Sequence, residues 1–310
     1  EDGIRDQPRS RGLGDVYKRQ NQLEIPKIQW YPGHIAKAEK KLTEVINRVD
    51  LVIEVRDARI PLSTGHPHLN QWIRNKKHIL VINRADMITT ETITNWNKWF
   101  KKDNIYPLWC DAKNGKGIKE ICKSAKESRL SIDNRRLSRG MKVRPIRALT
   151  LGFPNVGKSA LINRIAKKKV VESARKAGVT RNLRWIRLES GIDLLDAPGV
   201  IPPNLENQKS ALNLALCDDI GEAAYEIESV AIEFIKIIFK LKEDKNANIS
   251  LSKISNRYGV DILENFDSPH EWIDLVALKH TSGDKRRMAH KLLEDYRNQM
   301  LGKIALEVPI

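Results

Sequence analysis

The sequence predicts an α/β domain with a mostly parallel sheet and helices on both faces, followed by a small all-helical domain. Short apolar runs rich in β-branched residues alternate with helix-like stretches through residues 21–204. This alternation is typical of parallel strands that are joined by helices. From residue 205 to residue 310 the strand-like runs end and only helical spacing continues. Within 283–301 that spacing is carried by Met288, Leu292, Tyr296 and Met300.

Each predicted strand is a short apolar run bounded by polar or turn-forming residues. The polar and basic segment 129–145 contains no such run, and we expect it to link the two halves of the sheet. The predicted strands are Leu51–Val55, His78–Ile82, Ile105–Trp109, Ile146–Leu151, Leu183–Leu188 and Ile192–Leu195. The predicted helices between them lie near 34–48, 68–75, 90–102, 117–128 and 158–168.

The composition fits a globular protein, with 41% hydrophobic and 30% charged residues. The longest apolar stretch, Val230–Leu241, contains charged residues and is shorter than the roughly 20 residues of a membrane span. The three cysteines form no C-x-x-C pair, so we expect reduced thiols rather than a zinc site or a disulfide framework. These observations predict a cytoplasmic protein that has no membrane partner, and we expect a monomer.

The first twenty residues are interpreted as a non-native prefix. Ser10–Gln20 looks like the translation of a sequencing-library adaptor of the transposon-end type. The prefix lacks the apolar core of a signal peptide. We therefore expect the native chain to begin near Asn21 and give residues 1–20 no functional role.

The positive charge of the chain is concentrated in the predicted α/β domain. The formal net charge is +16, and residues 21–204 contain 36 Lys and Arg against 17 Asp and Glu. Residues 205–310 contain 14 basic against 18 acidic residues. An excess of this size indicates a polyanionic partner, of which RNA is the leading candidate, although a generally basic and solvated surface is the alternative.

The strongest motif is a phosphate-binding loop at Gly152–Ser159, with the form G-x-x-x-x-G-K-S. It follows a predicted strand and precedes a predicted helix, which is the context that such a loop requires. The glycines let backbone N–H groups surround phosphate oxygens, and the helix N-terminus adds positive charge. Lys158 is expected to reach the β- and γ-phosphates, and Ser159 to supply its hydroxyl to Mg²⁺.

Two further segments are candidates for switch loops around the γ-phosphate. Asp196 begins a D-x-P-G sequence at the end of a predicted strand, where a carboxylate can hold Mg²⁺ through water. Gly199 of the same sequence can offer its N–H to the γ-phosphate. Thr180 lies between the two motifs and can coordinate Mg²⁺ while the γ-phosphate is present.

A guanine-reading motif of the form N-[KR]-x-D occurs at Asn83–Asp86, after the second predicted strand. Asp86 can accept two hydrogen bonds from guanine N1–H and N2–H₂, a donor pair that adenine lacks. Asn83 is expected to tie this loop to the phosphate-binding loop, and the stem of Arg84 to cover the base. In the companion segment Asp111-Ala112-Lys113, the Ala112 N–H is expected to face guanine O6.

The guanine motif precedes the phosphate-binding loop, which inverts the usual order. With this order the chain resembles the circularly permuted GTPases, and among them the ribosome biogenesis GTPase A (YlqF) family, from about Ile25 onward. The resemblance also rests on Trp30-Tyr31-Pro32-Gly33-His34, on Asp57-Ala58-Arg59-Ile60-Pro61 and on the C-terminal segment Leu301–Pro309.

The resemblance implies a GTPase that binds GTP and GDP and acts late in assembly of the bacterial large (50S) ribosomal subunit, where it contacts precursor particles and their rRNA. His34 is implied as the catalytic residue, because Val200 replaces the glutamine that commonly orients water. Asn155 is implied as a marker of potassium-stimulated hydrolysis. The implied GTP-binding set is Asn83, Arg84, Asp86, Asp111, Ala112, Lys113, Asn155, Val156, Gly157, Lys158, Ser159, Ala160, Thr180 and Gly199. Arg84, Asp111, Ala160 and Ala177 depart from the residues usual in the family.

Basic residues cluster around the first candidate switch, where they predict an RNA contact that depends on the bound nucleotide. Two further functions remain open on the sequence alone. One is a P-loop ATPase or kinase, and the other is an RNA-binding protein that uses nucleotide only for stability. The cluster consists of Arg164, Lys167, Lys168, Lys169, Arg175, Lys176, Arg181, Arg184 and Arg187.

Overall fold

A computed structural model of the chain describes residues 28, 44–73, 76–171, 184–188, 191–196, 207–243, 251–262, 266 and 268–309. The predicted prefix lies outside these residues. So do His34, Thr180 and Gly199, whose predicted roles therefore stay predictions.

The described residues form a six-stranded sheet with the order β3-β2-β1-β4-β6-β5. Every neighbouring pair is parallel except β5–β6, which is antiparallel. The mostly parallel sheet predicted from the sequence is confirmed. The strands are β1 (Leu51–Asp57), β2 (Lys77–Asn83), β3 (Leu108–Trp109), β4 (Ile146–Leu151), β5 (Arg184–Leu188) and β6 (Ile192–Asp196).

Helices cover both faces of the sheet because alternate residues of the central strands are buried on opposite sides. Ile53 and Val55 of β1 belong to the main core, whereas Val52 packs in a second cluster on the other face. The helices of this part are α1 (Leu69–Ile73), α2 (Thr90–Lys102), α3 (Ile118–Leu137) and α4 (Lys158–Ile165), and residues 44–47 are also helical.

Two predicted elements have different bounds in the structure. The segment 129–145 was predicted as a link, but its first part continues α3 as far as Leu137. Ile132 and Arg136 are buried at helical spacing, and Arg136 Nη2 donates to Asp50 Oδ1 at 2.8 Å. The polar composition concealed this spacing. The predicted strand Ile105–Trp109 is reduced to β3, because Ile105 and Tyr106 are exposed and do not pair.

The C-terminal part is helical, as predicted. Residues 207–243, 251–262 and 268–309 contain helices and no strand. Their core includes Phe234 and Tyr296, whose ring centroids lie 4.8 Å apart, and Tyr258 against Trp272 at 5.6 Å. The helices are α5 (Gln208–Leu216), α6 (Ile227–Glu243), α7 (Ser252–Tyr258), α8 (Pro269–Thr281) and α9 (Lys285–Arg297).

This helical part packs directly on the carboxyl edge of the sheet. Arg59, which follows β1, donates from Nη2 to Cys217 O at 3.3 Å. The backbone N–H groups of Leu306 and Glu307 return to Arg59 O at 3.0 and 3.2 Å. The apolar residues of α5 belong to the same core cluster as those of β1 and β4. The helical part is therefore fixed to the loops that follow the parallel strands.

Asp219, at the turn after α5, is a buried acid beside these loops. It is 0% exposed, and neither of its carboxyl oxygens has a hydrogen-bond partner among the described residues. Burial raises the pKa of Asp219 to about 8, and the charge of Asp57 adds to this effect, while Arg84 and Arg59 oppose it. The carboxyl group is therefore largely protonated at neutral pH.

We predict that Asp219→Asn removes a pH dependence of folding. The folded carboxyl keeps its proton up to about pH 8, whereas the unfolded one releases it near pH 4. Between these values the native state binds the extra proton, so wild-type stability falls as pH rises, on the order of 1 kcal/mol per unit. Urea unfolding between pH 5 and pH 8 measures this slope.

The matched control is Asp218→Asn, because Asp218 is only half-buried and its positive φ of 65° is one that Asn tolerates. The control should keep most of the wild-type slope, because Asp218 is the smallest of the causes that raise the pKa of Asp219. An Asp219→Asn variant whose stability changes with pH as in wild type would show that Asp219 ionises normally in the fold.

Candidate nucleotide-binding site

The predicted nucleotide-binding residues meet at the carboxyl edge of the sheet, where ligands of open α/β sheets bind. Asn83 ends β2, the segment 111–113 follows β3, and the loop 152–157 joins β4 to α4. Asp196 ends β6, opposite Thr150 of β4. Segments that are far apart in sequence therefore lie around one cleft.

The phosphate-binding loop has the backbone conformation that its glycines permit. Asn155 and Gly157 both have positive φ, of 59° and 96°. A Cβ atom at Gly157 would lie 2.2 Å from Asn83 Nδ2, so no side chain fits there without displacing the guanine motif. α4 begins directly after this glycine and presents its N-terminus to the loop.

Lys158 is folded back onto its own loop. Its Nζ donates to Phe153 O at 2.6 Å and to Gly152 O at 3.2 Å. Burial lowers the pKa of Lys158 to about 8, and the charge of Asp196, together with that of Asp219 when it is ionised, partly opposes this shift. The ammonium group is therefore buried beside two acids, at the position from which a phosphate-binding loop lysine reaches phosphate oxygens.

The residues present fit a magnesium ion. Ser159 is half-buried next to Lys158, and Asp196 is buried at the end of β6, so two oxygen ligands border the phosphate-binding loop. Among the described residues no three His, Cys, Asp or Glu side chains gather into a metal site. Nucleotide-bound Mg²⁺ takes one or two protein oxygens and completes its shell with phosphates and water.

Asn83 joins three of the loops. Its Nδ2 donates to Val156 O at 2.9 Å, which is the predicted tie to the phosphate-binding loop. Its Oδ1 accepts from the Ala112 N–H at 3.0 Å and from Cys110 Sγ at 3.4 Å. The predicted role of the Ala112 N–H toward guanine O6 stays a prediction, and in the structure this N–H donates to Asn83.

The guanidinium group of Arg84 points into the protein. Its Nη1 donates to Asp57 Oδ2 at 2.9 Å and its Nη2 to Asn155 O at 2.6 Å. Arg84 also has a positive φ of 62°, so the backbone turns sharply at this residue. The planar guanidinium group of an arginine can donate to both partners at once, which the single ammonium group of a lysine could not do with the same geometry.

Asp86 is half-buried at the start of a short 3₁₀ turn, Ala85–Met87. Burial raises its pKa, and the neighbouring charge of Asp111 raises it further. Asp111 itself is buried and accepts from the backbone N–H and the side-chain Nδ2 of Asn114. The departure from the family at Asp111 therefore has a structural role, since its carboxylate closes the turn at 111–114.

Arg164 of α4 holds the companion segment 111–113. Its Nε donates to Ala112 O at 3.1 Å, and its Nη2 also donates to Lys113 O. The sequence placed Arg164 in the RNA-contacting basic cluster, but the structure assigns its guanidinium to these carbonyls. Lys113, by contrast, is exposed.

The helical part contributes residues that sequence reasoning did not assign to the site. The carbonyl of Asp218 accepts from Asn155 Nδ2 at 2.5 Å, and Gln299 Nε2 donates to Asp86 O at 2.7 Å. Asp219 lies near enough to oppose the lowered pKa of Lys158. No motif marks these residues, because their spacing from the nucleotide loops is set by the packing of α5 and α9.

Comparison with known proteins agrees with this geometry. Residues 147–253 match the family model described as 50S ribosome-binding GTPase. The chain is 32% identical over 294 residues to ribosome biogenesis GTPase A of Bacillus licheniformis, which covers 91% of this chain and 98% of that protein. It is 36% identical over 243 residues to the Priestia megaterium protein of the same name, across 78% and 83% of the two chains.

The fold is also similar to solved structures. A GDP-bound structure of TM YlqF has a TM-score of 0.60 and 22% identity, over 87% of this chain and 99% of that chain. GNP-bound YlqF from T. maritima has a TM-score of 0.58 over 88% and 98% of the two chains. The sequence relatives cover most of both chains, and the nucleotide loops meet in one cleft. The chain therefore belongs to the ribosome biogenesis GTPase A family of circularly permuted GTPases.

Proposed function

We propose that this GTPase acts late in maturation of the bacterial large ribosomal subunit, in the cytoplasm and as a monomer, and binds precursor particles and rRNA according to its nucleotide state. The observation that carries the proposal is the contact between the phosphate-binding loop and the helical part, from Asn155 Nδ2 to Asp218 O. Because phosphates bind at this loop, nucleotide binding alters the contact between the loop and the helical part. Membership of the family supplies the ribosomal context.

Nucleotide binding uses the loops that Asn83 joins. The backbone N–H groups of Asn155, Val156 and Gly157, together with Lys158, surround the phosphates, and Ala160 continues the helix whose N-terminus faces them. Mg²⁺ would be held by Ser159, Thr180 and Asp196, and Gly199 would contact the γ-phosphate. The base lies between Asp86 and the segment of Asp111, Ala112 and Lys113, with the stem of Arg84 over its face.

Asp86→Ala should weaken GTP binding by roughly 100-fold or more, because two hydrogen bonds to a carboxylate are lost and each contributes about 1.5–3 kcal/mol. ATP binding should change little, so the preference for GTP over ATP should largely disappear. Competition of both nucleotides against a fluorescent GDP measures the two affinities. The exposed acid Asp103 provides the control variant Asp103→Ala. Retention of the GTP preference in Asp86→Ala would exclude Asp86 as the guanine reader.

Asn155 is proposed to bind a potassium ion that supplies positive charge during hydrolysis. The structure shows its Nδ2 engaged with Asp218 O, so the amide is held in one orientation by the helical part. Hydrolysis should be at least about tenfold faster in potassium than in sodium buffer, which corresponds to about 1.4 kcal/mol in the barrier. Asn155→Ala should lose this difference. Equal rates of the wild-type protein in the two buffers would contradict the proposal.

His34 is proposed to orient the attacking water, because the valine at position 200 has no group for this role. His34→Ala should lower ribosome-stimulated hydrolysis by about 10²–10⁴-fold, the range typical of a general acid–base group. GTP affinity should stay nearly unchanged. His270, which is exposed in the helical part, gives the control His270→Ala. Normal stimulated turnover in His34→Ala would remove His34 from the mechanism.

Co-sedimentation with large-subunit precursors tests the proposed function itself. We expect tighter binding with a non-hydrolysable GTP analogue than with GDP, since the phosphate-binding loop contacts the helical part. Binding should weaken steeply between 50 and 200 mM salt, because the basic surface releases counterions from RNA. Equal binding in both nucleotide states would refute the coupling, and absence of binding in either state would refute the ribosomal role.

A further inference from the structure

Trp185 lies on the edge strand of the sheet with much of its ring in solvent. Its exposed fraction is 45%, whereas Trp96 and Trp272 are fully buried. Among the described strands β5 pairs only with β6 and forms the edge of the sheet. Because side chains alternate along a strand, Arg187 projects from the same face of the sheet as Trp185, and it is also exposed.

A second arginine reaches the ring from the other side of β6. Arg147 of β4 is exposed, and its Cζ lies 5.7 Å from the centroid of the Trp185 ring. In the strand register, Arg147 and Arg187 both lie opposite Asp193 of β6. This half-buried acid lies between the two cations. We call Trp185, Arg147 and Arg187 the Trp185 platform.

Positive charge continues beyond the platform. Arg139 and Lys142, in the segment that leads into β4, are exposed, and no ion pair is formed by either among the described residues. Arg144 of the same segment is held by Asp50 at 3.0 Å and so fixes the segment beside β4. Exposed cations therefore occur along the chain from the end of α3 to the start of β4, which contributes Arg147 to the platform.

This combination fits single-stranded RNA better than a protein strand. A peptide that extends the sheet would lie beside β5 in the plane of the sheet and form hydrogen bonds with the β5 backbone. The platform side chains instead project from the face of the sheet, where a planar apolar surface lies between guanidinium groups. An unpaired base stacks on such a ring, and the adjoining phosphates are neutralised by arginine.

We infer that the Trp185 platform is an RNA-binding subsite that stacks one unpaired base on Trp185 and holds the neighbouring phosphates with Arg147 and Arg187. The inference rests on the proposed RNA binding and adds where and how an unpaired nucleotide is held. Trp185 lies opposite Leu195, the residue before Asp196, so the subsite is joined through β6 to the nucleotide cleft.

The test uses a fluorescein-labelled ten-nucleotide uridine RNA and a labelled RNA hairpin with a fully paired stem, titrated with the full chain in anisotropy measurements. Trp185→Ala should weaken binding of the uridine RNA by about tenfold, since stacking of one base contributes about that factor or more. Trp185→Phe should keep most of the affinity. Tyr106→Ala, which removes an aromatic ring 69% exposed in the loop before β3, is the matched control and should bind as wild type.

Salt dependence separates stacking from phosphate contacts. Arg147→Gln and Arg187→Gln should each lower the slope of log affinity against log salt by about 0.7, the value for one phosphate of a single strand. Trp185→Ala should leave that slope unchanged. Thermal unfolding of each variant shows whether the fold is kept. Stacking is supported only if Trp185→Phe binds the uridine RNA more tightly than Trp185→Ala does.

The other possible outcomes contradict either the proposed RNA binding or the Trp185 subsite alone. If the wild-type chain binds neither RNA, the proposed RNA binding fails and the subsite fails with it. If wild type binds but Trp185→Ala binds the uridine RNA as Tyr106→Ala does, only the subsite is wrong and the face is left for another partner. Equal losses on the uridine RNA and the hairpin would exclude recognition of an unpaired base.

Discussion

The buried carboxylate of Asp57 is the interaction on which the nucleotide cleft depends. It is 0% exposed and accepts from Arg59 Nε and Nη2 at 3.0 and 2.8 Å and from Arg84 Nη1 at 2.9 Å. Burial alone would raise the pKa of Asp57, but the two arginines lower it to about 2. The group is therefore ionised at neutral pH. Removal of one partner from such a buried pair commonly costs about 3–5 kcal/mol, because the remaining charge stays buried.

Each arginine held by Asp57 extends to a different part of the molecule. Arg84 continues to Asn155 O in the phosphate-binding loop, and Arg59 continues to Cys217 O at the end of α5. The guanine motif, the phosphate-binding loop and the helical part therefore share one charged centre. This arrangement also explains why the inverted motif order leaves the cleft intact. The sheet places β1 between β2 and β4, so the loops meet wherever the chain begins.

The pKa of Asp219 is raised whereas that of Asp57 is lowered, although the two carboxyl groups lie close together. In the part of the chain that the structure describes, no hydrogen-bond donor reaches the carboxyl oxygens of Asp219, and the charge of Asp57 adds to the effect of burial. A nearby phosphate would add further negative charge, which a buried carboxyl tolerates only while protonated. Lys158, buried between Asp196 and Asp219, is the cation that such a phosphate would attract.

The sequence by itself determined the sheet, its mostly parallel order and the family, because strand and helix periods and the loops at 83–86 and 152–159 are local patterns. Asn83 was also expected to tie those loops together, and it does. Only the tertiary structure showed that α3 continues through its polar half. It also showed that the Ala112 N–H donates to Asn83 and that the Arg164 guanidinium group donates to the loop at 111–113. It alone revealed the roles of Asp57, Arg59 and Asp219. These outcomes depend on long-range neighbours, since a polar side chain takes the partner that packing brings to it, and no local spacing records which partner that is.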